Sequence, residues 1–392
     1  MNRLQPGSRV AIAGGGCAGC ALACEILARC PGVHVTVFEP SSSLTSDRTW
    51  CFWDVRPHRF ADAIHKRWDR VLVRSADTEV EVDASSYPYS CIRAEDFFRA
   101  AREQMSSESC SIRLGTSVEE INDREDHVDV LLRSGASDST ERCTHVFDGR
   151  PPARSAQRSS EPMLLQHFGG IEIVSSTTPV DPSVATLMDF SVSQQHGAHF
   201  MYVLPFQSDR VLVESTYLTT GISEDIDYES SATAYASDVL GIDPSRVVYR
   251  ESGVLPMTLR PLGPRSTPRV WSIGTRAGVG RASSGYAFDA IQHDSARLVD
   301  ALLRGQPRPR PPRSSILSMP DRVLLSLLDP PNAAPPDLFA RLFQSAETDK
   351  LVRFLGDVPR PLDYLAVMWA MPKAQVIRHV LTNPSAWPRP IG

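Results

Sequence analysis

Apolar and polar positions near the start of the chain alternate in blocks that predict a βαβ unit. The apolar run 10–13 predicts a short buried strand, and the apolar positions of residues 18–29 predict a helix. The segment "VHVTVFE", residues 33–39, predicts a second strand because it is rich in β-branched residues. Strand, helix and strand in this order are typical of an α/β domain with a parallel sheet.

The turn between the first strand and the helix contains Gly14, Gly15, Gly16 and Gly19, in the spacing G-x-G-x-x-G. In this motif the first glycine allows a tight turn, the second admits a pyrophosphate and the third brings the helix close to the sheet. The helix N-terminus offers free N–H groups to phosphates. Glu39 ends the second strand 20 positions after Gly19, where a carboxylate accepts hydrogen bonds from ribose hydroxyls. The motif predicts a dinucleotide site, for NAD or FAD.

The segments that follow favour FAD over NAD. A simple dehydrogenase would continue with βαβ repeats, whereas this chain continues with a predicted hairpin (70–83), a helix (93–105) and a β-meander. The strand after the meander ends at Asp148, and this layout is typical of FAD-binding domains. Arg93, at the start of its helix, is either a phosphate ligand or a solvated surface arginine.

The chain returns to this domain near its C-terminal third. Residues 269–305 predict a strand, a glycine-rich turn and a long helix with Ser283 or Ser284 as its N-cap. Candidate FAD contacts in the turn are Gly274, Ala277 and Gly278. The predicted fold class is α/β, with an FAD-binding Rossmann-like domain (1–160 and 265–305), an inserted antiparallel-sheet substrate domain (161–264) and a C-terminal helical segment (306–392).

Two acidic residues in the inserted domain are candidate catalytic groups. Residues 198–218 predict two antiparallel strands around a turn at 207–210, and Glu214 lies in the middle of the second strand. A carboxylate among apolar residues is costly unless it is paired, protonated or exposed. Glu214 is therefore either a solvated edge residue or a buried acid suited to proton donation. Asp189, in "LMDFSV", is a second candidate or a turn residue.

The net charge, the apolar windows and the cysteines of the chain limit which binding partners and which cellular compartment we expect for the protein. The chain has 392 residues and a net charge of −5, so no overall basic field indicates nucleic acid. Neither a signal peptide nor a membrane-spanning apolar window is predicted, so we expect a cytoplasmic protein, with membrane contact at most peripheral. Cys17, Cys20 and Cys24 share one helical face, and we interpret them as small core residues rather than metal ligands. No metal site is predicted.

The C-terminal segment combines a stiff linker with apolar helices. The linker is the proline-rich stretch 305–315, and the helices include "PDLFARLF" and "LDYLAVMWAM". These helices are either a cap over the core of the second domain, or an apolar surface that contacts a membrane or covers a lipid-like substrate.

Taken together, these motifs resemble the flavin-dependent lycopene cyclases of bacteria, which are related to the plant enzymes. The resemblance rests on the glycine loop with Glu39, on "DRTWCFWD", "MDFSVSQQHGAHFMYVLPF", "LVEST", "ESGVLPM", "GTRAGVGRASSGYAF" and "RFLGDVPRPLDYLAVMWAMPK". It covers most of the chain. The glycine loop is generic, whereas the tryptophan segment and the last two matches are specific.

The resemblance implies an isomerase (an intramolecular lyase) similar to lycopene beta-cyclase. It implies FAD that is active when reduced, with NAD(P)H as a candidate reductant, and a substrate that is lycopene or a related linear polyene. The glutamate of the family motif, here Glu214, would protonate the terminal double bond, and an internal double bond would then close the ring. Aromatic rings would stabilise the cation, and the candidates are Trp50, Phe52, Trp53, Phe190, Phe200, Tyr202 and Tyr217.

The sequence also departs from the family pattern at two places near the expected active site. Ser215 replaces a second acidic residue, and Arg281 with Ala282 stands where the family commonly has His-Pro. The identity of the polyene and the ring type stay open, including a divergent cyclase for another terpenoid. Two different functions are also compatible with the sequence, namely an FAD-dependent monooxygenase or epoxidase, and a carotenoid- or lipid-binding protein without catalysis.

Overall fold

The computed structural model describes residues 3–44, 48–151, 163–175, 179–259, 262–263, 266–306, 318–328, 337–371 and 373. These residues contain eighteen strands in four sheets, together with eight α-helices. The two predicted boundaries of the inserted domain, 160/161 and 264/265, lie outside the described residues. The same holds for residues 307–315 of the linker and for residues 374–392.

The strands are β1 (Arg9–Ala13), β2 (His34–Glu39), β3 (Thr49–Trp53), β4 (Lys66–Trp68), β5 (Arg70–Arg74), β6 (Glu79–Asp83), β7 (Tyr89–Arg93), β8 (Cys110–Leu114), β9 (Thr116–Asp123), β10 (Val128–Ser134), β11 (Ser137–Cys143), β12 (His145–Asp148), β13 (Met163–Val174), β14 (Val184–Asp189), β15 (Ala198–Gln207), β16 (Arg210–Thr219), β17 (Val247–Thr258) and β18 (Val270–Ser272). The helices are α1 (Cys17–Arg29), α2 (Ala94–Met105), α3 (Tyr228–Asp238), α4 (Phe288–Leu303), α5 (Met319–Leu328), α6 (Asp337–Ser345), α7 (Thr348–Leu355) and α8 (Pro361–Ala370). Short 3-10 helices cover Ala61–Ala63 and Gly274–Ala277.

A five-stranded parallel sheet forms the first layer, in the order β18-β12-β1-β2-β8. Helix α1 crosses from β1 to β2 and packs against α2 and α4. Cys17, Cys20 and Cys24 lie in the core between these elements. Burial raises the pKa of all three thiols. The predicted Rossmann-like α/β arrangement is confirmed.

The returning segment of this domain, residues 269–305, forms the predicted strand, turn and helix, but the helix begins at a different N-cap residue. Strand β18 leads through the Gly274–Ala277 turn into α4, which begins at Phe288 with Ala287 at the N-cap position. The predicted N-cap at Ser283 or Ser284 is therefore wrong. The backbone from Arg281 to Tyr286 closes a tight turn instead, in which the Gly285 amide donates to the Arg281 carbonyl oxygen.

A seven-stranded sheet forms the second layer, in the order β17-β13-β16-β15-β14-β5-β6. Its centre is the predicted hairpin β15–β16, whose turn lies at residues 207–210. The hairpin β5–β6 also joins this sheet, because β5 pairs in parallel with β14. It does so although residues 70–83 precede the predicted range 161–264 of the substrate domain. Two smaller sheets, β9–β11 and β3-β7-β4, lie beside these two layers.

The C-terminal helices α5 to α8 pack on the large sheet and share its apolar core. Two buried ion pairs tie them in place. The Arg281 guanidinium donates to the Asp321 carboxylate over 2.9 Å, and Arg353 donates to Asp363 over 2.7 Å. Asp321 is fully buried, so the charges of the first pair neutralise each other away from water. Within the described residues, no helix has both the length and the apolar character needed to cross a bilayer.

Candidate active site

One large cavity lies where the parallel sheet, the large antiparallel sheet and the C-terminal helices meet. Its volume is about 810 Å³, and its lining combines the glycine loop, the pocket-facing residues of β15 and β16, and side chains of α5, α6 and α7. The C-terminal helices contribute Leu324, Phe339, Leu342, Phe343, Phe354 and Leu355. These helices therefore cover the cavity as well as the core of the second sheet.

The glycine loop has the geometry of a phosphate cradle. Gly14 has a φ of +103°, a conformation that favours glycine. A Cβ atom on Gly19 would lie 2.0 Å from the carbonyl oxygen of Gly14, so only glycine lets α1 start this close to β1. A Cβ on Gly16 meets no described atom within 4 Å, and Gly16 lines the cavity. Helix α1 has no side-chain cap, so its first N–H groups are free to bind an anion.

Glu39 and Gly15 complete this corner of the cavity. The Gly15 amide donates to Oε2 of Glu39 over 2.8 Å, and the Ser41 amide donates to Oε1 over 2.9 Å. A carboxylate accepts further hydrogen bonds beyond these two, so it keeps the capacity to bind ribose hydroxyls. The loop and the carboxylate therefore fit the adenosine and pyrophosphate part of a dinucleotide.

The other predicted cofactor contacts divide into two groups. Gly274 lines the cavity, whereas Ala277 and Gly278 are absent from its lining: they close the short 3-10 helix, with Gly278 in the left-handed region at φ +71°. Arg93 is also absent from the lining. Its guanidinium pairs with the buried carboxylate of Glu172 and lies over the ring of Phe206. That ion pair, rather than a phosphate, satisfies the charge of Arg93.

Glu214 lies in the wall of the cavity, in the middle of β16. Its side chain shares a face with Thr216 and Leu218, which also line the cavity, and the residue is 6% exposed. Burial raises the pKa of its carboxyl group well above the ordinary value, and the nearby carboxyl of Glu251 raises it further. Burial therefore favours the protonated form of Glu214, and the low exposure of the residue agrees with the buried acid considered from the sequence rather than with the solvated edge residue.

Asp189 lies outside the cavity, although it is fully buried. It accepts hydrogen bonds from the Tyr235 hydroxyl (2.6 Å), the Ser191 amide (2.9 Å) and the Arg74 guanidinium (3.1 Å). All three groups donate to the side chain of Asp189, which is the last residue of β14. The candidate catalytic role of Asp189 has no support in this geometry, because the cavity is lined by its neighbour Met188 instead.

Aromatic side chains form much of the cavity wall. Among the rings considered from the sequence, Trp50, Phe200 and Tyr202 line it, whereas Phe52, Trp53, Phe190 and Tyr217 do not. Tyr217 does not line the cavity because side chains alternate along a strand, and its ring lies on the far face of β16, where it stacks on His199. Sequence reasoning missed several lining rings, which are Tyr89, Phe98, Phe168, Tyr286, Phe288, Phe339, Phe343 and Phe354.

Ser215 also points to the far face, and its hydroxyl lies 3.0 Å from Nε2 of His199. The substitution of an acidic residue by serine therefore does not change the cavity lining. The second acidic residue near Glu214 is Glu251 of β17, which sequence reasoning did not select. It lies in the matched segment "ESGVLPM", but only the strand order brings it beside Glu214.

The parallel sheet with its glycine loop, the large antiparallel sheet and the shared cavity define a Rossmann-type flavoprotein fold. A geranylgeranyl bacteriochlorophyll reductase-like protein of Thermoplasma acidophilum superimposes with a TM-score of 0.65 at 11% identity, over 96% of this chain and 98% of that one. Klebsiella pneumoniae HpxO, solved in complex with FAD, gives a TM-score of 0.63 at 12% identity, over 93% and 100% of the two chains.

The chain belongs to the lycopene cyclase protein family, whose model matches residues 9–381. A lycopene beta-cyclase of Pseudescherichia vulneris is 28% identical over 308 residues, which cover 73% of this chain and 74% of that enzyme. The family expected from the sequence motifs is confirmed.

The raised pKa of Glu214 predicts a specific dependence of stability on pH. The folded state binds more protons than the unfolded state at every pH between the ordinary and the raised pKa, so the free energy of unfolding falls as pH rises through this range. Over this range we expect the free energy of unfolding of the wild type to fall relative to that of Glu214→Gln, whose side chain does not titrate. Urea unfolding at several pH values measures this difference.

Glu119→Gln is the matched control, because the side chain of Glu119 is 40% exposed on β9. This variant controls for the loss of a carboxyl group that lies outside the cavity. Parallel pH profiles for wild type and Glu214→Gln would show that Glu214 ionises normally in the folded protein.

Proposed function

We propose that this protein is an FAD-dependent carotenoid cyclase that converts the linear ends of lycopene, or of a related polyene, into ionone-type rings without net redox change. The observation that carries the proposal is the position of Glu214. A buried carboxylic acid lies in the wall of a largely apolar cavity that also contains a dinucleotide-type glycine loop. The similarity to the lycopene beta-cyclase of Pseudescherichia vulneris supports the same substrate class.

The residues of the glycine loop are the proposed FAD ligands. Gly16 and the free N–H groups at the start of α1 would receive the pyrophosphate, and Glu39 would bind the ribose. When bound and reduced, FAD supplies negative charge that stabilises a nearby cation. A reduced nicotinamide nucleotide is the proposed source of its electrons.

The side chains of the cavity fit acid-initiated ring closure. Glu214 donates its proton to the terminal double bond, and an internal double bond attacks the resulting cation to form a six-membered ring. Loss of one ring proton restores a double bond, so one proton enters and one leaves while no electrons are exchanged. The rings of Trp50, Phe200 and Tyr202 line the cavity and offer π faces to the cation.

The two departures from the family pattern have structural explanations that favour an ordinary polyene cyclase. Ser215 faces away from the cavity, and Arg281 is buried in an ion pair with Asp321 on α5. Neither side chain lines the cavity. We therefore retain a polyene as the substrate, rather than assigning a new substrate class to these changes.

Gly16→Val tests the cofactor site. The valine has room in the protein itself, because a Cβ on Gly16 meets no described atom within 4 Å, but it occupies the space proposed for the pyrophosphate. We expect a folded protein whose affinity for FAD is at least about tenfold lower. Flavin absorbance after gel filtration measures the bound fraction, and circular dichroism measures folding.

Gly221→Val is the matched control, since a Cβ on Gly221 also meets no described atom within 4 Å and Gly221 is absent from the cavity lining. It is expected to keep its full flavin content. Full flavin content in Gly16→Val as well would contradict the assignment of the glycine loop.

Glu214→Gln tests the catalytic acid. Glutamine preserves the shape and hydrogen bonding of the side chain but has no acidic proton, and general acid catalysis typically contributes about 10²–10⁴-fold. We expect ring formation from lycopene in liposomes, without oxygen and with reduced FAD, to fall by at least that factor. Product analysis by chromatography measures it, while bound flavin stays at the wild-type level.

Ser215→Ala is the control for this variant, because the neighbouring side chain points to the opposite face of the strand. It is expected to lose much less activity. Near-normal cyclisation by Glu214→Gln would remove Glu214 as the acid. Consumption of one oxygen per product by the wild type would instead indicate a monooxygenase.

Helix α8 carries the proposed membrane contact. Leu362, Leu365 and Trp369 lie one to two turns apart and are 68%, 66% and 75% exposed. The ammonium group of Lys373 lies 3.2 Å from the centroid of the Trp369 ring. Exposed leucine and tryptophan beside a cation are typical of helices that lie in the membrane interface. We propose that this face docks on the bilayer that holds the linear polyene, and that the protein is peripheral and cytoplasmic.

The double variant Leu365→Glu with Trp369→Glu tests this contact. Each change removes a side chain whose burial is worth about 1.5–3 kcal/mol, so co-sedimentation with liposomes should fall by at least about tenfold. Ile222→Glu is the control, because Ile222 is 49% exposed in a loop after β16. Unchanged liposome binding by the folded double variant would place the membrane contact elsewhere.

A further inference from the structure

Two carboxyl groups meet in a row across three strands of the large sheet. Gly170 of β13 pairs with Glu214 of β16 on one side and with Glu251 of β17 on the other. Directly paired residues project their side chains to the same face of a sheet. Glu214 and Glu251 therefore lean toward each other over the backbone of Gly170.

The absence of a side chain at Gly170 makes this contact possible. A Cβ atom there would lie 2.6 Å from Cγ of Glu214, which is too close for any larger residue without movement of the glutamate. The two carboxyl groups lie close enough across the glycine for each to affect the pKa of the other. A hydrogen bond between them requires that at least one carries a proton.

The two carboxyl groups belong to different cavities. Glu214 lines the large apolar cavity, whereas Glu251 lines a second cleft of about 660 Å³. Charged and polar side chains surround this second cleft, among them Asp227, Glu229, Arg250 and Ser252. All four of these residues are exposed, so the cleft is open to water.

The surroundings of the two carboxyl groups differ. Burial raises the pKa of both, and the Tyr249 hydroxyl and the Arg93 guanidinium are among the groups that lower the pKa of Glu251 in part. The Tyr249 hydroxyl donates to Oε2 of Glu251 over 3.1 Å. A proton taken up from the second cleft therefore has a direct route through Glu251 to Glu214.

We infer that Glu251 is a proton relay, which reloads Glu214 from the water of the second cleft rather than through the substrate cavity. The inference rests on the proposed function, because it concerns the acid used there. After Glu214 gives its proton to the alkene, the O–H bond of Glu251 breaks and an O–H bond forms on Glu214. Water in the second cleft then reprotonates Glu251, and the hydroxide left behind is neutralised by the proton that the ring gives up to water in the large cavity, so that one proton enters and one leaves.

The test follows proton exchange on Glu214 without any substrate. In the purified holoprotein, infrared spectroscopy detects the carbonyl stretch of a protonated carboxyl group, and its shift after transfer to D₂O reports exchange. We expect Glu251→Gln to keep this band, because Glu214 remains buried, and to exchange at least about tenfold more slowly than the wild type. Glu119→Gln, an exposed glutamate on β9, is the control and should exchange like the wild type.

Exchange in Glu251→Gln as fast as in the wild type, or loss of the band, would overturn the inference. If the glutamine variant does not fold, Glu251→Asp keeps the acid but widens the gap to Glu214, and unchanged exchange in that variant would also overturn it. Slow exchange in a protein whose wild type does not cyclise lycopene would leave the relay in place and refute the proposed substrate.

Discussion

The proposed chemistry depends on one constraint, which is that the carboxyl group of Glu214 stays uncharged in an apolar space. Water around Glu214 would move its pKa back toward the ordinary range and favour the ionised form. The residue lies in the middle of a central strand, where both neighbouring strands satisfy the backbone, and it is buried. The carboxyl group of Glu251 raises its pKa further. Burial and like charge therefore act in the same direction.

The C-terminal helices cover part of the cavity, and buried ion pairs hold those helices. The Arg281 guanidinium joins the turn before α4 to Asp321 of α5 and to the carbonyl oxygen of Phe354 at the end of α7. The Cζ atom of Arg281 also lies 3.9 Å from the centroid of the Phe354 ring. A pair of this kind adds little net stability, but loss of either partner leaves an unpaired charge in the core. The pair fixes how the helices sit over the cavity, which explains an arginine where the family commonly has histidine.

Local patterns in the sequence were sufficient for the Rossmann-like unit and for Glu214. The glycine spacing, Glu39 and the polar residue inside an apolar strand are signals within a few neighbouring residues, and the structure places all of them at one cavity. The contacts that the sequence could not reveal depend on partners far away in the chain. The sequence around Arg93 is compatible with a phosphate ligand, but in the fold its guanidinium pairs with Glu172, 79 residues later in the chain. Glu251 lies beside Glu214 only because β13 pairs with both β16 and β17.

Asp189 shows that a local sequence pattern can also point to an acid that does not line the cavity. An aspartate in an apolar strand has the same local signature whether it is an acid in a pocket or a carboxylate held by donors. The difference here is made by Tyr235 on α3 and Arg74 on β5, and neither is near it in sequence. Register and strand order, rather than residue type, decided which of two buried acids faces the cavity.

The parallel pairing of β5 with β14 has a consequence for how the chain acquires its structure. Arg70 pairs with Val184, so the hairpin formed by β5 and β6 must wait until its partner strand, more than a hundred residues later, has been synthesised. Non-local pairing of this kind is slow to form and leaves strand edges unsatisfied in the meantime. The inserted sheet is thus not a separable module, because a fragment cut at residues 161 and 264 would lack two strands, and the edge of β14 that pairs with β5 would stay unpaired.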